Sequence, residues 1–239
     1  MPAERYYVDQ LLSEGQLIAI EGAEFHHLAH VMRTRIGERI EIVNGKGSLA
    51  EGVVQDLQKK QAVLLIEQVS TGSQSLPRTI LAQAIPKPNR LDYIIEKGTE
   101  LGVDEFWLFP GHHSVKRDLS PTQMERVQML MISAMKQSGR LFLPSLEVKP
   151  PLEKWIGGCG GPLLFGDVEK EAPLLSTVWQ RVNPTTQVTF LIGPESGFSE
   201  KEIDLMRMAQ AHGVKLHENI LRTDTAPMVA LSLISQWKR

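Results

Sequence analysis

The spacing of apolar residues changes character at about residue 70. Before that point, stretches at 5–8, 16–20, 39–43, 49–57 and 61–69 read as strands, and Ala62, Leu64 and Ile66 alternate with Val63, Leu65 and Glu67 as a pleated chain requires. Asn44-Gly45-Lys46-Gly47 and Gln58-Lys59-Lys60 lie between strands, where hairpin turns belong. Phe25, Leu28, Val31 and Met32 recur at helical spacing, with Gly37 as the C-terminal stop. The pattern predicts a small β-barrel capped by one helix.

Residues 70–75 (Ser-Thr-Gly-Ser-Gln-Ser) are small, polar and aperiodic, the composition of a linker, so two domains are expected, 1–72 and 73–239. In the second, apolar runs at 80–85, 106–109, 163–165 and 188–192 alternate with amphipathic helical patterns, the signature of an α/β domain with a parallel sheet. Leu91, Ile94, Ile95 and Leu101 form one stripe. Ser120-Pro121-Thr122-Gln123 is a capping box with proline at the first helical position, opening a helix that runs to Gly139. Ser199 and Glu202 form a second capping box, for a helix expected to stop at Gly213 before a short strand at 214–216. Val229, Leu233 and Trp237 mark a closing helix.

Composition narrows the class. A chain of 239 residues, 42% of them apolar, buries about 70% of its unfolded surface, enough for one or two ordinary cores. No apolar run approaches the roughly 20 residues of a membrane span and the N-terminus lacks a signal-peptide pattern, so a cytoplasmic protein with no membrane partner is expected. The lone Cys159 allows neither an internal disulfide nor a cysteine zinc cluster. With a formal charge of -2, no global field draws the chain to nucleic acid, yet residues 112–140 carry five Lys or Arg against two Asp or Glu. RNA would have to be held by a local patch.

Several motifs fall away on inspection. Gly45-Lys46-Gly47-Ser48-Leu49-Ala50 fits a dinucleotide pattern, but strand follows it and no helix N-terminus is there for a pyrophosphate. His26 and His30 have zinc-helix spacing without the glutamate of H-E-x-x-H, and His112-His113 has no third ligand at an obvious spacing, so no metal is expected. Ser196 lacks the flanking glycines of a nucleophile elbow, since Pro194 and Phe198 stand there. The loop 193–197 nonetheless lies at a strand end, where α/β sheets bind ligands. Residues 220–226 set Arg222 among hydroxyls just before a helix, an arrangement that caps a helix or fixes a carbonyl or phosphate.

These segments, with the K-x-x-E-L-G run from Lys97, Lys136-Gln137-Ser138-Gly139-Arg140, Arg5-Tyr6-Tyr7-Val8, His26-His27-Leu28 through Arg33, and Lys87, resemble the SPOUT superfamily of RNA methyltransferases. Within it, the chain resembles the ribosomal RNA small subunit methyltransferase E family. The resemblance implies a PUA-like β-barrel followed by an α/β domain with a deep trefoil knot, S-adenosylmethionine as methyl donor, N3 of one uridine of 16S ribosomal RNA in the small subunit as target, and a homodimer. It maps donor contacts onto Gly193, Glu195, Gly197, Leu216, Ile220, Leu221, Arg222, Thr223, Thr225 and Ala226. The family usually has glycine at Ser196, glutamate at Asp224, and glycine and arginine at His217 and Asn219. A positive φ at Ser196 would strain the loop.

Methyl transfer to a uridine nitrogen requires alignment and stabilisation of charge developing on the base. Arg222 is the first catalytic candidate and Arg5 a second. Glu195 either takes the imide proton or accepts backbone N–H groups. For RNA grip the candidates are Arg5, Arg33, Lys87, Lys97 and Arg140, supported by Arg35, Arg39, Arg90, Lys116, Arg117 and Lys136. The rival reading is a non-catalytic RNA-binding assembly factor on the same fold.

Overall fold

The computed structural model describes residues 4–238; the chain ends 1–3 and 239, which fall within the two expected domains, lie outside the described residues. Two compact units are present, one reaching to Gln74 and including Met135–Leu143, the other comprising Ser75–Ala134 and the chain from Pro144 onward.

In the first unit, strands β1 (Arg5–Tyr7), β2 (Leu17–Glu21), β3 (Arg39–Val43), β4 (Ser48–Leu57) and β5 (Gln61–Thr71) form one sheet in the order β1-β3-β4-β5-β2. Because β1 and β2 end the sheet unpaired with each other, the expected barrel is a half-barrel. Register shifts between Glu51 and Gly52 and between Val54 and Asp56 interrupt the β4–β5 ladder, irregularities that bend a sheet. Its inner face buries Tyr6, Ile18, Ile20, Ile42, Leu64 and Ile66 against Phe25 and Leu28. Those two aromatic and aliphatic side chains come from α1 (Gly22–His26) and the π-helical turn His27–Val31 that continues it. The helix stops earlier than Gly37, because Arg33 already adopts φ +56. Gly37, at φ +89, instead serves the turn into β3, its N–H bonded to the Val54 carbonyl. The segment read as linker is strand as far as Thr71, which pairs with Ser48.

The second unit contains β6 (Arg78–Ala84), α2 (Pro88–Glu100), β7 (Glu105–Phe109), α3 (Pro121–Ser138), β8 (Ser145–Val148), β9 (Leu163–Gly166), α4 (Leu175–Val182), β10 (Gln187–Ile192), α5 (Glu200–Met208), β11 (His212–Val214) and α6 (Thr225–Trp237); the last turn of α3 belongs to the first unit. The six strands are parallel throughout, in the order β11-β9-β10-β6-β7-β8. Central strands β6 and β10 are buried along all but their first residues, as a sheet covered on both faces requires. Strand β8 lies outside the expected strands, and helix α4 carries the helical spacing of Leu175, Val178, Trp179 and Val182. Helix α5 ends before Gly213, where Gln210 takes φ +59. Gly213 lies within β11 because a Cβ there would stand 2.4 Å from Asp167 Oδ2. Among the described residues, no helix is long and apolar enough to cross a membrane and no group of three His, Cys, Asp or Glu could hold a metal.

One buried ion pair secures the end of α6. Lys238 Nζ lies 2.9 Å from Asp104 Oδ2, with the side chains only 9% and 6% exposed. The same oxygen accepts the Thr79 N–H at 2.7 Å. Asp104→Ala leaves two donors facing an apolar interior, so a stability loss of about 3 kcal/mol is expected in urea unfolding. A loss below about 1 kcal/mol, the scale of an exposed pair, would contradict the buried assignment.

Candidate functional site

Ile192 ends β10, and the chain turns through 193–198 into α5 under the Ser199–Glu202 capping box, in which Ser199 Oγ accepts the Glu202 N–H and the Glu202 carboxylate accepts the Ser199 N–H. Two glycines shape this loop for different reasons. A Cβ at Gly193 would lie 3.1 Å from the backbone C of Gly197 and N of Phe198, tighter than ordinary contact, so a side chain there requires the loop backbone to give by a few tenths of an ångström. At Gly197 the space is open but φ is +73, the left-handed region. Ser196 has no positive φ, so serine there carries no backbone strain.

The second wall is the segment before α6. Thr223 Oγ1 donates to the Gly193 carbonyl at 2.6 Å, and the Gln83 amide at the end of β6 donates to Thr223 Oγ1 at 3.1 Å and to the Gly193 carbonyl at 3.3 Å. The Arg222 carbonyl accepts the Thr225 and Ala226 N–H groups, opening the helix. The two walls enclose a cavity of about 490 Å³ at the carboxyl ends of β6, β9 and β10.

Of the ten residues mapped as donor contacts, Gly193, Glu195, Gly197, Ile220, Leu221, Arg222, Thr223 and Ala226 line this cavity. Leu216 lines an adjoining one of about 300 Å³, which also includes Ile220 and Leu221. Thr225 lines neither. Among the described residues, the backbone groups of Leu216, Ile220 and Leu221 form no hydrogen bond within the chain, which leaves them open to a ligand. Phe165, Ile192, Phe198 and Ile203 supply its apolar lining. Asp167 and Arg90 line it too; the sequence reading missed Asp167 and took Arg90 only for RNA grip. Asp167 follows the apolar run of β9, the position at which α/β sheets place ligand contacts; that rule would have found it.

Glu195 Oε1 accepts the Lys87 N–H at 3.0 Å and lies 3.4 Å from Arg90 Nε. It thus accepts a backbone N–H, though from the turn before α2 and not from its own loop. The loop 110–113 also leans on this region: the His112 N–H donates to Glu202 Oε1 at 2.9 Å, and His113 Nδ1 lies 3.2 Å from the Gly197 carbonyl.

Residues 74–235 match the family model of the RNA methyltransferase domain. The chain belongs to this RNA methyltransferase family. Residues 20–67 match the RNA methyltransferase PUA domain. A curated relative, the ribosomal RNA small subunit methyltransferase E of Bacillus subtilis, is 29% identical over 97% of this chain and 96% of its own length. The crystal structure of a ribosomal RNA small subunit methyltransferase E from Neisseria gonorrhoeae bound to S-adenosyl methionine superposes with a TM-score of 0.89 at 27% identity, covering 98% of each chain. A methyltransferase from Legionella pneumophila in complex with the same cofactor gives 0.89 at 25% identity, over 99% of this chain and 98% of the other.

For an RNA methyltransferase the disposition of cations matters, and many of those expected to grip RNA are already engaged. Arg5 Nε lies 2.5 Å from Glu41 Oε2, Lys136 Nζ 2.6 Å from Glu24 Oε1, and Arg39 Nε 2.9 Å from Glu67 Oε2. Lys97 sits between Glu100 and Glu96, at 2.7 and 2.8 Å, and the hydrogen bonds its ammonium donates to these carboxylates hold its pKa well above the usual lysine range. Arg140 is half-buried in the first unit, whereas Arg33 and Lys87 are exposed.

The glycine assignments separate by substitution. Gly197→Ala is expected to cost about 1 kcal/mol, or about 2–4 °C in melting temperature, while Gly197→Asn retains most of the stability because asparagine tolerates left-handed backbone. Gly193→Asn should be as damaging as Gly193→Ala, since bulk and not φ is the obstacle. Thermal melts of the four variants check this; rescue by asparagine at Gly193 would refute the steric reading.

Proposed function

We propose that this chain is an S-adenosylmethionine-dependent methyltransferase that modifies N3 of a specific uridine in 16S ribosomal RNA of the small ribosomal subunit, working as a cytoplasmic homodimer. Residues 1–72 serve as the RNA-binding PUA-like domain and 73–239 as the catalytic SPOUT domain. The observation that carries the reading is the cavity joining loop 193–198 to segment 216–226, with the exposed Arg222 at its edge. Its volume of about 490 Å³ falls in the range of small-molecule sites, about 300–1,000 Å³. Its unpaired backbone groups and apolar lining fit an adenine and a sulfonium-bearing methionyl chain.

Bound there, the donor supplies an electrophilic methyl group on a sulfonium, open to in-line displacement. The protein's share of the work is orientation and charge. Gly193, Gly197, Leu216, Ile220, Leu221, Thr223 and Ala226 hold the donor, while Thr225, outside the cavity, supports it by opening α6 on the Arg222 carbonyl. Arg222, a planar cation that stays charged at any working pH, stabilises negative charge developing on the uridine carbonyl oxygens. Glu195 keeps Oε2 for the imide proton while Oε1 is tied to Lys87 and Arg90. Lys87 and Arg33, exposed cations, contact RNA phosphates, joined by Arg5, Lys97 and Arg140 where RNA displaces their present partners.

The deep trefoil knot is part of the same proposal; the bonds from Thr223 and Gln83 to the Gly193 carbonyl support it by holding the 216–224 segment against the ends of the two central strands. Half-buried Val229, Leu233 and Trp237 on α6, with Met129 63% exposed on α3, support a second copy as the partner. Against the rival reading of a non-catalytic factor stand the unstrained Ser196 and the local role of two other departures, since the Asn219 N–H donates to His217 Nδ1 at 3.0 Å in an exposed turn.

Arg222→Lys tests the mechanism. Calorimetry should give near wild-type S-adenosylmethionine affinity, while single-turnover methylation of small ribosomal subunits falls about 10²-fold or more. A normal rate ends the catalytic assignment, and absence of donor binding by the unmodified protein favours the rival. Light scattering at micromolar concentration should give twice the chain mass; a monomer would remove the homodimer from this reading.

A further inference from the structure

The first turn of α2 carries an arginine whose place is explained neither by the parallel sheet nor by the RNA grip expected of it. Arg90 Nε lies 3.4 Å from Glu195 Oε1 in the 193–198 loop, and Arg90 Nη1 lies 3.4 Å from Asp224 Oδ1 in the segment that opens α6. The two carboxylates belong to opposite walls of the cavity and are separated by 29 positions in the chain (224 minus 195). All three side chains are largely shielded, at 24%, 22% and 25% exposure, so their attraction is less screened than that of a surface pair. Arg90 itself lines the cavity. A guanidinium presents donors on two edges and reaches two carboxylates at once, whereas an ammonium offers one compact charge.

We infer that Arg90 is a positioning residue of the methyl-donor cradle, clamping the Glu195 loop to the Asp224 segment. This rests on the donor reading given above. Both contacts are longer than the roughly 2.7–2.9 Å of a well-formed charge-assisted hydrogen bond, so the clamp has room to tighten. If the donor draws the two walls together, the clamp shortens with it. By linkage, weakening the clamp then weakens the donor by the same coupling factor. The Lys87 N–H, bonded to the same Glu195 oxygen, gives the loop a second anchor that survives loss of Arg90. The guanidinium is thereby committed to two carboxylates and is withdrawn from phosphate binding.

The test is a double-mutant cycle on the full-length protein, with S-adenosylmethionine affinity measured by calorimetry and melting temperature measured without donor. Arg90→Met and Asp224→Asn should each weaken donor binding, the former by about tenfold, and the double variant should be no weaker than Arg90→Met alone. Arg90→Lys should recover only part of the loss. Donor-free melting temperature should move by no more than about 2 °C, while KM for the donor rises. Additive losses, or wild-type donor affinity in Arg90→Met, would overturn the inference. So would reduced RNA affinity at unchanged donor affinity, which would return Arg90 to phosphate binding. If Arg90→Met melts far below the unmodified protein, Arg90→Gln repeats the measurement, and wild-type donor affinity there overturns the clamp equally. Failure of the unmodified protein to bind S-adenosylmethionine overturns the donor reading itself, an outcome distinct from a wild type that binds and an Arg90 variant that binds equally well.

Discussion

The carbonyl of Gly193 is hydrogen-bonded within the chain, and the groups that satisfy it come from distant parts of the sequence. Gln83, fully buried at the end of β6, and Thr223, 7% exposed before α6, both donate to it. Neither donor is a neighbour of residue 193 in sequence, so the bond forms only when the two central strands are paired and the segment before α6 is seated beside them. Gly193 is half-buried, so these two bonds contribute at the ordinary scale of about 0.5–1.5 kcal/mol each. The cavity, the path of the 216–226 segment and the placement of Arg222 all follow from this junction.

Around that junction, charge is arranged in closed pairs. Glu195 and Asp224 face Arg90, Asp104 faces Lys238, and Lys97 is flanked by two glutamates. A chain with formal charge -2 cannot attract RNA through its overall field, and pairing further reduces the cations free to do so. Arg222, Lys87 and Arg33 are exposed cations in segments that the structure leaves open to a partner. Without a net positive field, any recognition of RNA relies on shape and positioning more than on long-range attraction.

Family membership and the cavity support one another without being the same argument. Membership rests on the match of residues 74–235 to the RNA methyltransferase domain. The cavity rests on backbone geometry, chiefly the positive φ of Gly197 and the close backbone approach at Gly193. The four departures from the family pattern are absorbed locally. Ser196 keeps ordinary backbone, His217 and Asn219 bond to each other in an exposed turn, and Asp224 still reaches Arg90.

Local rules were enough for the features that depend on neighbours in sequence. The capping boxes at Ser120 and Ser199 and the hairpin turn at Asn44 could be read directly, because each is stabilised within a few residues of itself. Errors fell where a distant group decides. Gly213 reads as a helix stop, yet it is glycine because Asp167 and Phe165 occupy the space of a side chain. The half-barrel stays open because β1 and β2 pair with β3 and β5 and not with each other, a choice alternation alone cannot express. Residues 135–143 return to the first unit, and Arg90 closes on two carboxylates when it had been expected to hold phosphate. Periodicity records which face of an element is buried; which partner buries it, and which charge meets which, is fixed only when the chain is assembled in three dimensions.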